Sequence, residues 1–242
     1  MSRSKLIQSW SRLLAVAGFL TSHGSHASNP YLEAPLVSEM LSTPAYRYAN
    51  ASNDEVREWL EARQIPFVEI RDSIPGVRLP GRLVGPLHGV FIHGTDVRHM
   101  ADSPYEILDG RLALALDDFS QLLAENGIVE LVHFTILRVK PTATTLLTRH
   151  PGALAIDVGE LKRNDGTWLR VKHDFEPAIG AKTCGTGATR LDSDAGRLLQ
   201  ALVCQARARG IFHYALTPHF DAAHADHFHL EIKPAVKWFL YN

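Results

Sequence analysis

Three histidines lie within six residues near the C-terminal end of the chain, in the segment His-Ala-Asp-His-Phe-His that runs from His224 to His229. Earlier in the chain, His150 and Asp157 stand seven positions apart. Two histidines and one carboxylate, with water at the fourth position, form a known kind of catalytic zinc site. Together with His227, these residues therefore predict a mononuclear metal site with catalytic side chains beside it.

Chance is the alternative explanation of each motif taken alone. The chain has 13 histidines, so two of them two positions apart on a strand can arise without any ligand role. The His150 and Asp157 pair is weaker still by itself. The occurrence of both motifs in the same half of one chain favours a site.

The C-terminal motif predicts a strand over His227–Ile232. Because alternate side chains of a strand point to opposite faces, one face would project polar groups into a cleft and the other would pack on the core. The polar face comprises His227, His229 and Glu231. The apolar face comprises Phe228, Leu230 and Ile232. His224 would reach the polar face from a loop, and Asp226 would lie at the start of the strand or on its apolar side.

The odd spacing of His150 and Asp157 would place them on opposite faces of a continuous strand. The Pro-Gly pair that follows His150 predicts a turn instead. His150 would then hang from a loop, while Asp157 would project from a strand over Ala153–Val158. Both side chains could in this way reach one cleft.

The remaining pattern predicts an α+β fold, a mostly antiparallel sheet with two main helices. The main helices are predicted at Ile107–Asn126 and Ser193–Gly210, with a further capped helix at Asn53–Arg63. The strands are predicted at Gly89–Gly94, Val129–Val139, Ala153–Val158, Trp168–Val171, Phe212–Leu216 and His227–Ile232. We expect residues 28–85 to form a lead-in lobe or arm and residues 86–242 to form the domain that carries the site.

The N-terminus predicts export. A positively charged start, a short apolar stretch at residues 13–20 and small residues at positions 25 and 27 are typical of a signal peptide, here residues 1–27. The alternative is an amphipathic first helix of the fold. The mature protein would be periplasmic or secreted, and Cys184 and Cys204 would then form one disulfide. Two buried free thiols are the alternative to that disulfide.

Composition excludes several classes of function. The formal net charge of −1 provides no basic surface for nucleic acid. No apolar stretch of about 18 residues is present, so no stable membrane insertion is expected. The chain also lacks the His-Glu-X-X-His helix motif of common zinc proteases and the Gly-X-Ser-X-Gly turn of α/β-hydrolases.

Three segments carry a resemblance to known families. Thr148–Asp157 is similar to the Ser-X-His and Ala-Ile-Asp stretch of D-Ala-D-Ala dipeptidases and carboxypeptidases. His224–His229 is similar to the His-X-X-His-X-His segment of penicillin-insensitive murein endopeptidases. Ala222–Glu231 resembles the Ala-Ala-His-X-Asp-His-Phe-His-Leu-Asp motif of the bacterial extensin-like C-terminal domain family. These families are of the LAS type of zinc peptidase, with a hedgehog/D-Ala-D-Ala-peptidase-like fold, and the resemblance covers residues 86–235.

The resemblance implies one zinc ion with three protein ligands, His150, Asp157 and His229. It implies that His227 acts as the base and that His224 assists the transition state. Asp226 is the rival base, because the dipeptidases carry a glutamate at that position. One departure concerns the residue three positions after the first ligand, where the family has glycine and this chain has Ala153.

Two further side chains have open roles. Arg138 or Arg149 would hold a substrate carboxylate, with a solvated or structural arginine as the alternative. Glu231 would accept the second N–H of a ligand histidine, or form an ordinary salt bridge across the sheet.

The resemblance implies a metallopeptidase that cleaves peptide (amide) bonds of peptidoglycan stem peptides or cross-links by metal-activated water, as an endopeptidase or a carboxypeptidase. The alternative is a non-catalytic cell-wall-binding module that retains the fold. A third reading is a structural protein of the wall in which the site contributes only stability.

Overall fold

The computed structural model describes residues 31–138 and 150–242. The predicted signal peptide at residues 1–27, Thr148 and Arg149 lie outside the described residues. Among the described residues, no helix is long and apolar enough to cross a membrane.

The first half of the chain contains five strands and three short helices before the first long helix. In chain order these are β1 (Leu32–Glu33), α1 (Val37–Ser42), α2 (Pro44–Asn50), α3 (Asn53–Ala62), β2 (Phe67–Glu69), β3 (Pro80–Leu83), β4 (Phe91–Gly94) and β5 (Leu108–Asp109). Short 3₁₀ turns at Val97–His99 and Pro104–Glu106 lie between β4 and β5.

The second half contains both long helices and the strands that carry the site. These elements are α4 (Gly110–Glu125), β6 (Ile128–His133), β7 (Ala155–Arg163), β8 (Trp168–Arg170), α5 (Val171–Asp174), α6 (Asp194–Ala208), β9 (Tyr214–Leu216), β10 (Phe228–Glu231) and β11 (Phe239–Tyr241). Two further 3₁₀ turns, His150–Gly152 and Ala222–His224, each lie shortly before a strand that carries a predicted site residue, β7 and β10.

The main sheet is mixed, and the expectation of a mostly antiparallel sheet is corrected. Its eight strands run in the order β1-β11-β9-β10-β7-β6-β4, with β8 paired to β7, while β2, β3 and β5 form a second sheet. The pairs β4 with β6 and β9 with β11 are parallel. The chain between β4 and β6 includes the long helix α4, and such a crossover returns the next strand in the same direction.

Both predicted main helices are present, together with several shorter ones. Helix α4 begins after Asp109, whose side chain accepts a hydrogen bond from the backbone N–H of Arg111 at 3.0 Å. Helix α6 begins after Ser193, whose hydroxyl accepts from the backbone N–H of Gly196. The predicted helix at Asn53–Arg63 corresponds to α3, and its cap is Ser52, whose hydroxyl forms a capping box with a glutamate three residues later.

Helix α4 is the centre of the hydrophobic core, and it is buried on most of its surface. One continuous cluster of apolar side chains joins α2 and α3 to α4, and α4 to the main sheet and α6. Phe119 of α4 meets Phe212 edge to face, with ring centroids 5.4 Å apart. The sheet therefore packs against α4 through a continuous apolar layer.

Strand β6 ends at His133, earlier than the predicted Val139, which is outside the described residues. The next residues follow β7 as an irregular segment: the backbone N–H of Phe134 donates to the Asp157 carbonyl at 2.9 Å, and the N–H of Asp157 donates to the Thr135 carbonyl at 3.1 Å. This segment runs directly behind the carboxylate predicted as a metal ligand.

The predicted disulfide is present. Cys184 and Cys204 are bonded, with their Cα atoms 5.4 Å apart. The bond fastens α6 to the loop that precedes it.

Candidate metal centre

Strands β7 and β10 bring two of the predicted ligands together. Their antiparallel register places His229 directly opposite Asp157. Both side chains are buried, at 3% and 2% exposure. The Nδ1 atom of His229 lies 2.9 Å from Oδ1 of Asp157. Because directly opposed residues share one face of a sheet, this contact follows from the register alone.

His150 reaches the same carboxylate from the 3₁₀ turn that precedes β7. Its Nε2 lies 3.1 Å from Oδ1 of Asp157, and its Nδ1 donates to the backbone carbonyl of Ile136 at 2.8 Å. A carbonyl oxygen only accepts, so Nδ1 carries a proton. The Nε2 atom faces the centre, where it donates to the Asp157 carboxylate when protonated and would offer its lone pair to a metal ion in the neutral ring. The turn predicted from the Pro-Gly pair is therefore confirmed.

Ala153 shows why a glycine would suit the turn after the first ligand. Its φ is +50°, in the left-handed region that favours glycine. The turn is closed by a hydrogen bond from the Ala153 N–H to the His150 carbonyl at 3.0 Å. Ala153 thus adopts a backbone conformation that glycine would adopt at lower cost.

Glu231 accepts from the second nitrogen of His229. The distance from Nε2 of His229 to Oε2 of Glu231 is 3.2 Å, and Glu231 is 1% exposed. This bond holds a proton on Nε2. The Nδ1 atom faces Asp157, where it donates to the carboxylate when protonated and would offer its lone pair to a metal ion in the neutral ring. Of the two roles considered for Glu231, the structure shows the contact to His229, the histidine predicted as a ligand.

The three side chains form a strongly coupled electrostatic unit. Burial alone would raise the pKa of the Asp157 carboxyl, but hydrogen bonds from His150 and His229 outweigh it and hold that pKa far below its ordinary value. Burial alone would lower the pKa of His229, but the carboxylates of Asp157 and Glu231 outweigh it and raise that pKa. The centre therefore keeps an ionised carboxylate in a buried place, as a cation site requires.

The donor set fits a single small divalent ion. One ligand atom from each of His150, Asp157 and His229 can be chosen so that all three lie within 4.8 Å of one another. A tetrahedral ion with bonds of about 2.0–2.1 Å holds its ligand atoms roughly 3.4 Å apart. Two imidazole nitrogens and a carboxylate oxygen, each fixed by a second hydrogen bond, match that arrangement with only small movements of the side chains.

His227 lies beside the three predicted ligands, between the centre and solvent. Its Nε2 is 3.5 Å from Oδ1 of Asp157, while its Nδ1 is 2.8 Å from Oδ1 of Asp226. The His227 side chain is 13% exposed and that of Asp226 is 46% exposed. Asp226 lies just before β10, which agrees with one of its two predicted positions, the start of the strand. It contacts the centre through the imidazole of His227.

His224 folds over the same face, as predicted. Its ring centroid lies 5.3 Å from that of His227 and 5.8 Å from that of His229. Its Nδ1 donates to Oδ1 of Asp221 at 2.6 Å. Burial is the main cause that lowers the pKa of His224, although the Asp221 carboxylate opposes it.

Asp221 and Phe134 were not singled out from the sequence. Asp221 caps the turn Ala222–His224 through the backbone N–H groups of Ala223 and His224, and its position three residues before a histidine was the available signal. The Phe134 ring is 41% exposed and meets His227 edge to face at 5.9 Å. No periodicity marked Phe134, because it follows the end of β6.

Arg138 adds a cation on the outer side of the centre. Its Nη2 lies 3.3 Å from Oδ2 of Asp157, the oxygen that the histidines do not contact in the described hydrogen bonds. Its side chain remains 60% exposed. The guanidinium is thus placed at the rim, within reach of both the Asp157 carboxylate and solvent.

Comparison with known proteins identifies one segment. No curated protein and no solved structure matches the chain. A family match is found, and it begins later than the resemblance predicted from residue 86. Residues 123–239, which include every residue of the candidate metal centre, match the family described as Extensin-like protein C-terminus.

Proposed function

We propose that this protein is a zinc-dependent metallopeptidase that cleaves peptide (amide) bonds of peptidoglycan stem peptides or cross-links. The observation that carries the proposal is the approach of His227 to the buried donor set, with Nε2 3.5 Å from the Asp157 carboxylate. A purely structural metal site has four protein ligands and no free base, whereas this one has three predicted ligands and an imidazole beside them.

Zinc, when bound, would polarise a substrate carbonyl and lower the pKa of water toward about 7. The residues that would hold it are His150 through Nε2, Asp157 through Oδ1 and His229 through Nδ1. The Ile136 carbonyl and the Glu231 carboxylate keep the two imidazoles in the tautomers that ligation requires.

His227 would act as the general base. Asp226 accepts the Nδ1 proton of His227, so the Nε2 lone pair faces the centre and can receive a proton from water. In this arrangement Asp226, the rival base, stabilises the imidazolium that forms. His224, held by Asp221, would in its protonated form donate from Nε2 to the leaving amine.

The placement of the chain among LAS-type zinc peptidases, with a hedgehog/D-Ala-D-Ala-peptidase-like fold, is part of the same proposal. The resemblance of the two motifs and the α+β architecture support it. Export to the periplasm or beyond is supported by the predicted signal peptide and by the disulfide, since disulfides persist in oxidising compartments. Peptidoglycan or its muropeptides would be the partner, and nucleic acid would not.

The proposal is tested by metal analysis and by digestion of defined muropeptides, with product masses as the readout. We expect about one zinc per chain and new peptide fragments. His229→Ala should lose both zinc and cleavage, His227→Ala should retain zinc but lose about a hundredfold or more in rate, and Asp226→Asn should lose roughly tenfold. His173→Ala, which alters an exposed histidine on α5, is the matched control and should behave as the unchanged protein.

A metal-loaded protein that leaves every muropeptide uncut would contradict the enzyme proposal. If that protein still binds the muropeptides, the result supports the alternative function, a non-catalytic cell-wall-binding module. The masses of the products also separate an endopeptidase, which cuts cross-links, from a carboxypeptidase, which releases a terminal residue.

A further inference from the structure

A pocket of about 180 Å³ opens beside the candidate metal centre. It lies between the end of β4, the two 3₁₀ turns that follow β4, and the segment after β6. Its lining includes two aromatic rings, two carboxylates and two hydroxyls, from Tyr105, Phe134, Asp96, Glu106, Thr95 and Ser103. Apart from Phe134, which meets His227, none of these residues takes part in the metal centre described above, and the matched family segment does not include those before residue 123.

Two sets of contacts join this pocket to the metal centre. The Phe134 ring lines the pocket and also meets the His227 ring at 5.9 Å. The backbone carbonyl of Tyr105 accepts from the Ile136 N–H at 3.1 Å, and the Ile136 carbonyl in turn holds His150. A substrate bound at the metal centre could therefore extend past Phe134 into this pocket.

The pocket is rich in acceptors and poor in cations. Of the described residues that line the pocket, none is Lys or Arg. The one histidine among them, His99, forms a hydrogen bond through Nδ1 to Oδ2 of Asp96 at 2.7 Å. Glu106 lies at the base with its side chain 10% exposed; it accepts from the Gly94 N–H at 2.7 Å and lies 3.0 Å from the Nε2 of His133. Hydrogen bonds with His133 and Gly94 outweigh burial and lower the pKa of Glu106, which keeps it ionised.

Two arginines lie near the pocket without lining it. The Arg82 guanidinium donates to the backbone carbonyls of Met100 and Ser103, at 3.1 and 2.7 Å. Arg98 lies at the edge of the pocket, with its Nε 3.5 Å from Oδ1 of Asp96 and its side chain 86% exposed; its backbone N–H donates to the same oxygen at 3.3 Å. The carboxylates and rings of the lining therefore border a space, partly open to solvent, that a cationic group can enter.

We propose that this pocket binds a primary ammonium group carried by the substrate, such as the side-chain amine of a diamino acid in a stem peptide. An ammonium has three donors and no acceptor, which complements two carboxylates and two hydroxyls. The faces of Tyr105 and Phe134 attract cations and cover the methylene groups of such a side chain. The substrate class rests on the proposed function, whereas preference for the amine rests on the pocket alone.

Equilibrium binding to the metal-loaded protein tests this inference without any need for turnover. The probes are the tripeptide L-Ala-γ-D-Glu-L-Lys and the same peptide with its side-chain amine acetylated, both titrated by calorimetry. We expect acetylation to weaken binding about tenfold. Tyr105→Leu and Asp96→Asn should each reduce that ratio, and both alter partly exposed residues that the core does not need.

Glu58→Gln is the matched control, because it removes an exposed carboxylate on α3 that is remote in sequence from the pocket, and the tenfold ratio should persist in it. Equal affinity for the two peptides would overturn the inference, as would a ratio that Tyr105→Leu and Asp96→Asn both leave unchanged. Muropeptide cleavage is measured in a separate experiment. Cleavage by a protein that binds both tripeptides equally would contradict only the pocket proposal. Preference for the free amine in a protein that cleaves no muropeptide would contradict only the enzyme proposal.

Discussion

Each imidazole at the candidate metal centre has one nitrogen bonded to an acceptor outside the centre. His150 donates to a backbone carbonyl, and His227 and His224 donate to aspartates, in all three cases through Nδ1. His229 alone uses Nε2 for its outer acceptor, Glu231, and turns Nδ1 inward. Because neutral imidazole has a single N–H, these outer bonds decide which nitrogen is free for a metal or a proton.

Substitution of Glu231 tests whether these outer hydrogen bonds control metal binding. Glu231→Gln keeps the shape of the side chain but removes its charge. The variant therefore orients the His229 ring less firmly, and the ring becomes a weaker ligand for zinc. We expect affinity for zinc to fall by about 10–100-fold. Competition with a chromophoric chelator measures this affinity.

The control for Glu231→Gln is thermal unfolding of the metal-free protein, which shows whether the buried substitution disturbs the fold itself. An unchanged zinc affinity in a folded variant would contradict a role of Glu231 in orienting His229.

At the scale of elements, the site depends on the pairing of β7 with β10 and on the irregular segment after β6. The register sets His229 against Asp157. The segment 134–138 then supplies an aromatic ring, a carbonyl acceptor and a guanidinium to the same centre. In a β6 that continued as a regular strand, the backbone carbonyls would lie in the plane of the sheet and bond to a neighbouring strand, so the Ile136 carbonyl would not accept from His150 as it does here.

Gly159 of β7 keeps the Phe134 ring in place. A Cβ atom added at Gly159 would lie 2.5 Å from that ring, closer than side-chain carbons approach. Because the ring is partly exposed, we expect Gly159→Ala to displace it from His227 at a cost of about 1 kcal/mol in the free energy of unfolding. Chemical denaturation and the NMR shifts of the His227 ring protons measure the two effects.

The Phe134→Ala background is the control for Gly159→Ala. If the alanine at position 159 acts through the ring, its effects on stability and on the His227 shifts should largely disappear there. Equal effects in both backgrounds would show that the glycine has another role.

On the scale of the whole molecule, the sheet and the helices form one continuous hydrophobic core. The buried pair of Asp109 and Arg111 connects its parts: Asp109 also accepts from the Leu79 N–H, and Arg111 donates to the Ala49 carbonyl. A second buried polar group, His213, lies at the junction of β9, β10 and β11, where its Nδ1 accepts from the Lys233 N–H at 3.0 Å.

His213 makes the fold sensitive to acid. Burial lowers its pKa in the folded protein to about 4, below the ordinary value of about 6.5 in the unfolded chain. Folding thus favours the neutral ring, and this contribution is fully present above pH about 6.5 and is lost as the pH falls toward 4. The shift corresponds to a loss on the order of 3 kcal/mol.

We expect His213→Asn to flatten the decline in unfolding free energy between pH 7 and pH 4.5, since Asn keeps an acceptor and cannot be protonated. Urea denaturation of the metal-free protein measures it, so that release of a metal does not contribute. His173→Ala, at an exposed position, should keep the original slope. The same slope in all three proteins would refute the assignment to His213.

Local sequence signals sufficed to predict that His150, Asp157 and His229 lie together, and to locate most elements. Alternation in the last strand predicted the shared face of His229 and Glu231, and the Pro-Gly turn predicted how His150 joins Asp157. Capping residues and apolar periodicity located α4 and α6, because those signals act within one or two turns of a helix. The matched segment also confirms the extensin-like resemblance of the C-terminal motif.

Only the tertiary structure decided what depends on contacts between distant residues. The parallel pairing of β4 with β6, the early end of β6, the hydrogen bond that ties Asp226 to His227 and the pocket beside Phe134 all join parts of the chain whose relation no local pattern expresses. A register and a packed core are properties of many residues at once. The chain alone therefore determined which groups could bind a metal, and the packing of β7, β10 and the segment after β6 determined which nitrogen each of them presents.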